Sequence, residues 1–340
     1  MKKKVTTLSD VATEAGVSKS TVSRVLNNKL GNGFSVKNEI RQKILDAAKK
    51  LSYHPNLIAK SLTLQDSRMI HIIGGHHALS DLGNIYQTVV NSATKNLEIA
   101  SDVFDATVDM SFHKPDATEL PTWKVDGVIV LAKGTPVTMK ELESMAIPYV
   151  VVNGPCGQHG SSVVPDDIAG TQAAIKHLIG LGHKRIAYAQ PFGPPLKGHS
   201  SIRDRHQTYL SELGKNGLEP VDGHENFFEV AEDFINQSVI NNGATGILAY
   251  GHMGGLNLMQ AAHRLNISIP GNLSIICFCD EYAANVMSPG LTFVDMRSEE
   301  MGKIAAEKLL EKIHDPKNNE SEIIKLEEKL VIRNSTARID

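Results

Sequence analysis

Cysteine is scarce in this chain. Three residues of 340 carry a thiol, Cys156, Cys277 and Cys279. So few, and an odd number, exclude a disulfide framework and fit a reducing compartment. Long apolar runs are missing as well. No stretch of about 18 uncharged apolar residues occurs, which excludes a membrane-spanning helix. The start, Met1-Lys2-Lys3-Lys4-Val5-Thr6-Thr7, is basic, but no apolar core follows it. A secretory signal is therefore not expected, and the expected location is the cytoplasm. Catalytic punctuation is absent too. There is no Gly-x-Ser-x-Gly elbow to anchor hydrolase chemistry. Gly74-Gly75 followed by His76-His77 fits neither phosphate-binding loop spacing nor the dinucleotide fingerprint. The chain is expected not to be an enzyme and to carry no cofactor.

What is present is unevenly distributed. The chain is long for one domain, and its 41% hydrophobic content is ordinary for a globular protein. The net charge of −3 conceals a split. Residues 1–64 hold 12 of the 35 basic side chains and 4 of the 38 acidic ones, a balance of +8 against −11 for the remainder. A basic head on an acidic body points to contact with a polyanion.

The head reads as helices. Leu8, Val11, Ala12 and Ala15 recur at helical spacing, with Thr7 or Ser9 as the cap and Asp10 in the first turn. Gly16 stops that helix. Ser18 or Ser20 caps a second helix from Lys19 to about Asn27, with Val22, Val25 and Leu26 inward. Lys19, Ser20, Thr21, Ser23, Arg24 and Asn27 lie on its other side. Two short helices joined by a tight glycine turn describe a helix-turn-helix. A third helix is expected from about Val36 to Leu51.

The run Leu8-x-Asp10-Val11-Ala12-x-x-Ala15-Gly16-Val17-Ser18-x-x-Thr21-Val22-Ser23-Arg24-Val25-Leu26-Asn27 resembles the DNA-binding signature of the lactose/galactose repressor (LacI/GalR) family. Tyr53-x-Pro55-Asn56-x-x-Ala59-x-x-Leu62 resembles that family's hinge segment. The resemblance implies that the second helix lies in the major groove. Lys19 and Ser20 would choose bases, and Arg24 would contact a base or phosphate. An arginine fork suits the O6/N7 acceptor pair of guanine. Thr7, Ser18, Thr21, Ser23 and Asn27 would mostly fix position through phosphates. Asn56 to about Leu64 would form a minor-groove hinge helix that includes Ala59, with Leu62 as the wedge that kinks the duplex.

From Ser67 onward, strand-like and helix-like runs alternate. Met69–Ile73, Val125–Leu131, Pro148–Val152, Arg185–Ala189, Gly246–Tyr250 and Leu273–Phe278 read as strands. Tyr86–Ile99, Met139–Met145, Gly170–Leu181, Arg203–Asn216, Ala231–Asn242 and Met253–Leu265 read as helices. Such alternation predicts parallel α/β sheets, and the length predicts two lobes. The resemblance continues through His177-Leu178-Ile179-x-Leu181-Gly182-His183-Lys184-Arg185-Ile186-Ala187, Ile267–Ile275 and Leu330–Thr336. It implies a two-lobed body like periplasmic sugar-binding proteins, type I, with three crossovers and a ligand cleft. The expected divisions are a head at 1–55, a hinge and linker at 56–67, and an effector-binding and dimerisation domain at 68–340. Within that domain, lobe 1 is expected at about 68–160 and 292–320, and lobe 2 at about 161–291 and 321–340.

By the same resemblance, Arg205 would clamp the effector and Phe228 would lay a ring against it, with Ser201 beside the cleft. His252, Cys279 and Asp280 would complete the effector-binding set. Three positions depart from the family pattern: Gly251-His252 for Asn-Asp, Cys279 for Asp, and Thr208 for Gly. Cys277, Cys279 and His252 lack the closely paired spacing of a metal site, so no metal is expected. Asp166-Asp167 precede a helix, where caps are expected. The resulting expectation is a homodimeric repressor of carbohydrate-utilisation genes on a palindromic operator, released by a sugar or sugar derivative. A corepressor-dependent regulator is the alternative within the class, and a solute-binding module without DNA function is the alternative outside it.

Overall fold

The computed structural model describes residues 6–26, 36–53, 67, 69–74, 85–100, 105–109, 120, 124–132, 136–192, 199–315 and 320–339. The chain forms two compact units, Met1–Ser67 and Arg68–Asp340.

The first unit contains α1 (Leu8–Ala15), α2 (Lys19–Leu26) and α3 (Asn38–Lys50). Thr7, not Ser9, caps α1. Its hydroxyl accepts from the Asp10 amide, and the Asp10 carboxylate accepts from the Thr7 amide at 2.8 Å. This reciprocal capping box satisfies two amides that a helix start leaves over. Gly16 ends α1 at φ 67°, the left-handed region where only glycine is unstrained. The turn aims α2 across α1, so that Val11, Ala12, Val22, Val25, Ile44, Ala47 and Ala48 close one small core. The expected hinge positions Asn56, Ala59 and Leu62, and Asn27 with its loop, lie outside the described residues.

The second unit is built on two sheets. The first comprises β1 (Met69–Gly74), β2 (Asp105–Asp109), β3 (Gly127–Leu131), β4 (Tyr149–Val152), β5 (Ser161–Pro165) and β10 (Glu322–Leu326), ordered β10-β5-β4-β3-β1-β2 and wholly parallel. The second comprises β6 (Ile186–Ala189), β7 (Gly246–Ala249), β8 (Ser274–Cys279), β9 (Thr292–Asp295) and β11 (Lys329–Val331), ordered β11-β9-β8-β7-β6. It is parallel except for antiparallel β11. The central strands are buried on both faces, which explains their unbroken Val/Ile runs. The covering helices are α4 (Ile85–Ala100), α5 (Pro136–Ser144), α6 (Asp167–Gly180), α7 (Ser200–Lys215), α8 (Ala231–Ile235), α9 (His252–Arg264), α10 (Glu281–Asn285) and α11 (Ser298–His314). A π-helical turn, Asn236–Asn241, follows α8.

The chain passes between the sheets three times: after β5, after β9 and after β10. The lobe boundaries differ from those expected. β5 belongs to the first sheet, so the first passage comes after Pro165 and not at 160. β9 belongs to the second sheet, so residues 292–295 are not in lobe 1. β10 pairs with β5, so 322–326 belong to lobe 1 and the last passage runs through Glu327-Glu328. Which sheet a strand joins is decided by partners far along the chain, and local periodicity carries no record of them. The helix starts also move. α6 begins at Asp167 because Asp166 accepts from the Ala169 amide, and α7 begins at Ser200 because His199 accepts from Ser201.

Within the first lobe α4 lies along α11. Val89, Ala93, Leu97, Met301, Ala305, Ala306 and Leu309 belong to one buried cluster. The Ser92 hydroxyl donates to the Glu299 carbonyl at 2.6 Å, a distance that requires small residues at the crossing.

Candidate functional site

The head presents α2. Val22 and Val25 are buried, whereas Lys19, Ser20 and Arg24 are exposed and Thr21 and Ser23 half-buried. Residues 19 and 23, and 20 and 24, are one helical turn apart and share a face. Ser18 caps the helix: its Oγ accepts from the Thr21 amide at 3.2 Å and lies 2.8 Å from both Ser20 Oγ and Thr21 Oγ1. The Thr7 hydroxyl donates to Asp10 Oδ2 at 2.7 Å, so a phosphate contact there would share the oxygen with the cap. An exposed cationic and hydroxylated helix face on a packed apolar back is the arrangement a major-groove reader needs.

In the body, the six residues expected at the effector, Arg205, Ser201, Phe228, His252, Cys279 and Asp280, differ in their surroundings. Arg205 is 2% exposed. Its Nε donates to Asp167 Oδ1 at 2.6 Å, its Nη1 to the Tyr250 carbonyl at 2.5 Å, and its Nη2 faces Met296 Sδ at 3.7 Å. The Phe278 ring centroid lies 3.7 Å from Cζ. Burial alone would lower the guanidinium pKa, but Asp167, Tyr250 and Glu328 hold it above its ordinary value. Ser201 is buried beside this group, 2.7 Å from Tyr250 Oη and 2.6 Å from His199 Nδ1. Cys279 has no exposed surface, and burial pushes its thiol well up. Asp280 accepts from the Ala283 amide and from Thr88 Oγ1 at 2.6 Å, which ties α10 to α4 across the lobes. His252 opens α9 and is half-buried. Phe228 is half-buried and packs edge-on to Phe234 at 5.4 Å, against the second lobe's other core. Its neighbour Phe227 is exposed and lines the cavity described below. Among the described residues no group of three or more His, Cys, Asp and Glu side chains is placed to hold a metal.

Residue patterns alone do not reveal the groups that join the lobes. Asn153 donates to Tyr86 Oη at 2.9 Å, and its carbonyl faces His199 Nε2 at 2.8 Å. Asn153 has φ 58°, and the Asn153-Gly154 pair is the turn signal that could have pointed to it. Of the two acids expected as caps, Asp166 has that role, whereas Asp167 holds Arg205. Beside this seam opens a cavity of about 690 Å³, lined among others by Gln190, His199, Arg203, His206, Phe227 and Ile323. None of the six expected effector residues lines it.

Glu328, on the last passage between sheets, is 4% exposed and neither carboxyl oxygen has a hydrogen-bond partner. Burial raises its pKa well above the carboxylate range; Arg205 opposes this, while Asp167, Asp166 and Asp295 add to it. The folded state thus binds this proton more tightly than the unfolded state. Its contribution to stability is full below the ordinary glutamate pKa and is lost as pH rises toward the folded value. Glu328→Gln is expected to gain stability relative to the parent as pH rises from 5 to 8. Urea melts at both pH values check this, and a pH-independent difference between the two proteins contradicts it.

Two family profiles match the chain: bacterial regulatory proteins of the lacI family over residues 7–56, and the periplasmic binding protein-like domain over residues 175–336. The HTH-type transcriptional regulator RegA of Clostridium saccharobutylicum is 28% identical over 351 residues, covering 97% of this chain and 99% of RegA. The ribose operon repressor of Halalkalibacterium halodurans is 27% identical over 341 residues, covering 98% and 97%. The crystal structure of the lac repressor dimer bound to operator and the anti-inducer ONPF has the same fold, with a TM-score of 0.75 at 22% identity and coverage of 98% and 100%. No described helix is long and apolar enough to cross a membrane. This chain thus joins a lacI-family helix-turn-helix domain to a periplasmic-binding-protein-like domain, and it is similar over nearly its whole length to DNA-binding transcriptional regulators.

Proposed function

We propose that the protein represses carbohydrate-utilisation genes and leaves its operator when a small sugar-like molecule binds between the lobes. The observation that carries the reading is the exposed Lys19, Ser20 and Arg24 face of α2 on a lacI-type head. The similarity to a ribose operon repressor supports the carbohydrate part. One helix-turn-helix reads a half-site, so a homodimer on a palindrome is the natural assembly. Asn56, Ala59 and Leu62 would then enter the minor groove as a hinge, and lobe movement would change the hinge separation. Coupling of this kind is typically about 1–3 kcal/mol.

The test is affinity selection of sheared host genomic DNA by the purified protein, followed by sequencing. Enrichment of one palindrome near carbohydrate genes is the expected result, and no enrichment, with or without an added metabolite extract, overturns the reading. Titration of that operator complex with sugars should lower DNA affinity; a rise would replace induction by corepression. Arg24→Ala is expected to weaken specific binding by about 1–3 kcal/mol and to relax preference at one base position. Unchanged operator affinity by fluorescence anisotropy would remove Arg24 from the interface.

A further inference from the structure

The three passages between the sheets meet at one place, and each brings an acid to it. The first carries Asp166 and Asp167, the second leaves β9 at Asp295, and the third carries Glu328. Main-chain groups tie them together. The Asp166 amide donates to the Leu326 carbonyl at 2.8 Å, and Arg297 Nη1 donates to the Glu327 carbonyl at 3.3 Å. Glu328 is wedged among them. A Cβ on Gly170 of α6 would stand 1.8 Å from Glu328 Oε2 and 2.7 Å from a Val294 methyl group of β9, so the carboxyl fills the space over α6 that glycine leaves. Gly170 is one turn from Asp167 and shares its face. The charged groups around Glu328 are Asp166 and Asp167 at the start of α6, Arg205 of α7 and Asp295 of β9. The cations here have other partners: Arg205 is bound to Asp167, Lys325 Nζ lies 3.7 Å from Asp166 Oδ1, and Arg297 is paired with Glu300. A carboxylate ion at Glu328 would have neither a hydrogen-bond donor nor a counterion of its own, a costly state in a buried place. The neutral acid is the form that fits.

We propose that Glu328 is a proton-operated latch on the junction of the lobes: it is neutral while the lobes stand as in this structure, and it gives its proton to water when lobe movement uncovers it. Rotation of one lobe against the other bends all three passages and therefore loosens the packing over Glu328. Water then reaches the carboxyl and restores its ordinary acidity. Opening releases a proton, so rising pH favours the open arrangement. Below the ordinary glutamate pKa both arrangements hold the proton, and pH no longer shifts the balance. Asp295 acts in the same sense but more weakly, because it is half-buried and already accepts from the Arg297 amide at 2.9 Å. His199, on the other side of the seam, has the opposite sign. Its Nδ1 accepts from the Ser201 amide and its Nε2 faces the Asn153 carbonyl at 2.8 Å, which is the arrangement of a neutral ring. Protonation of Nδ1 would break it, so His199 would part the lobes on acidification. The latch depends on neither operator nor effector.

Electron–electron double resonance on the full chain tests this. Spin labels at Lys140→Cys in α5 and His263→Cys in α9, both exposed positions, read the separation of the lobes in a Cys156→Ser background, diluted with unlabelled protein. Cys277 and Cys279 are buried and escape the label. Between pH 5 and pH 8 the ratio of long to short separations is expected to rise, by up to about tenfold per pH unit, the most that one proton can carry. Glu328→Gln, which has the same shape and no proton to release, should keep the pH 5 distribution at both values. Glu328→Asp, which keeps an acid on the passage, should keep a pH response. Any buried acid would make stability pH-dependent, whereas the lobe separation moves with pH only if the acid sits where the lobes turn. A parent distribution that does not change with pH overturns the proposal without recourse to any variant at Glu328. Opening on acidification overturns it in favour of His199. An equal response in the parent and in Glu328→Gln overturns it as well.

Discussion

Replacement of Arg205 by alanine is expected to destabilise the second unit by about 3–5 kcal/mol, the usual cost of removing one partner from a buried ion pair. Asp167 is 8% exposed and would be left buried without its cation. Glu328, already without a hydrogen-bond partner, would lose the positive charge that favours its ionised form. The Tyr250 carbonyl would lose a donor and the Phe278 ring its covering guanidinium. Calorimetry should show a fall of the melting temperature by roughly 2–4 °C for each kcal/mol, the scale for domains of about 150–250 residues. Asp167→Asn introduced together with Arg205→Ala should recover part of the loss, because the unpaired charge is the main penalty. An unchanged melting temperature with loss of ligand response would leave Arg205 only the role of effector clamp that the family resemblance implies.

A side chain at Gly302 should damage the first lobe to a similar degree. A Cβ there would stand 2.3 Å from the Val89 carbonyl oxygen, 2.9 Å from Ser92 Cβ and 3.0 Å from the Ala93 amide nitrogen. Two of these three atoms are backbone and cannot swing aside. α4 and α11 would have to separate, loosening the packing among Val89, Ala93, Met301 and Ala305. Overpacking typically costs about 1–3 kcal/mol, and contact with rigid backbone belongs at or above the top of that range. Gly302→Val is the sharper test, with Gly214→Ala as control. Gly214 lies in α7, and a methyl group placed on its Cα would meet nothing within 4 Å, so alanine should stabilise by up to about 1 kcal/mol. Denaturant melts that show Gly302→Val no less stable than the parent would mean the two helices are not held at this distance.

The basic head, its capping residue, the glycine turn, the outward face of α2 and the alternation of buried strands with helices were legible in the residues themselves. Each depends on neighbours within a few positions: Thr7 with Asp10, Gly16 with its own φ, Val22 with Val25. Strand partnership was not legible. β5 and β10 find each other across more than 150 residues, and β9 leaves the lobe that its place in the chain implied. The same distance hid the seam. Asp167 looks like a helix cap until Arg205 arrives from α7. Asn153 looks like a turn residue until His199 meets its carbonyl, and Glu328 looks like a surface glutamate until two sheets close over it. The amino-acid sequence by itself determined the helical head, its exposed polar face on α2 and the α/β body, because those follow from local periodicity and charge. Only the tertiary structure decided which polar groups are spent on one another and which, like Gln190, are left facing a cavity, because burial and partnership are properties of the packed chain.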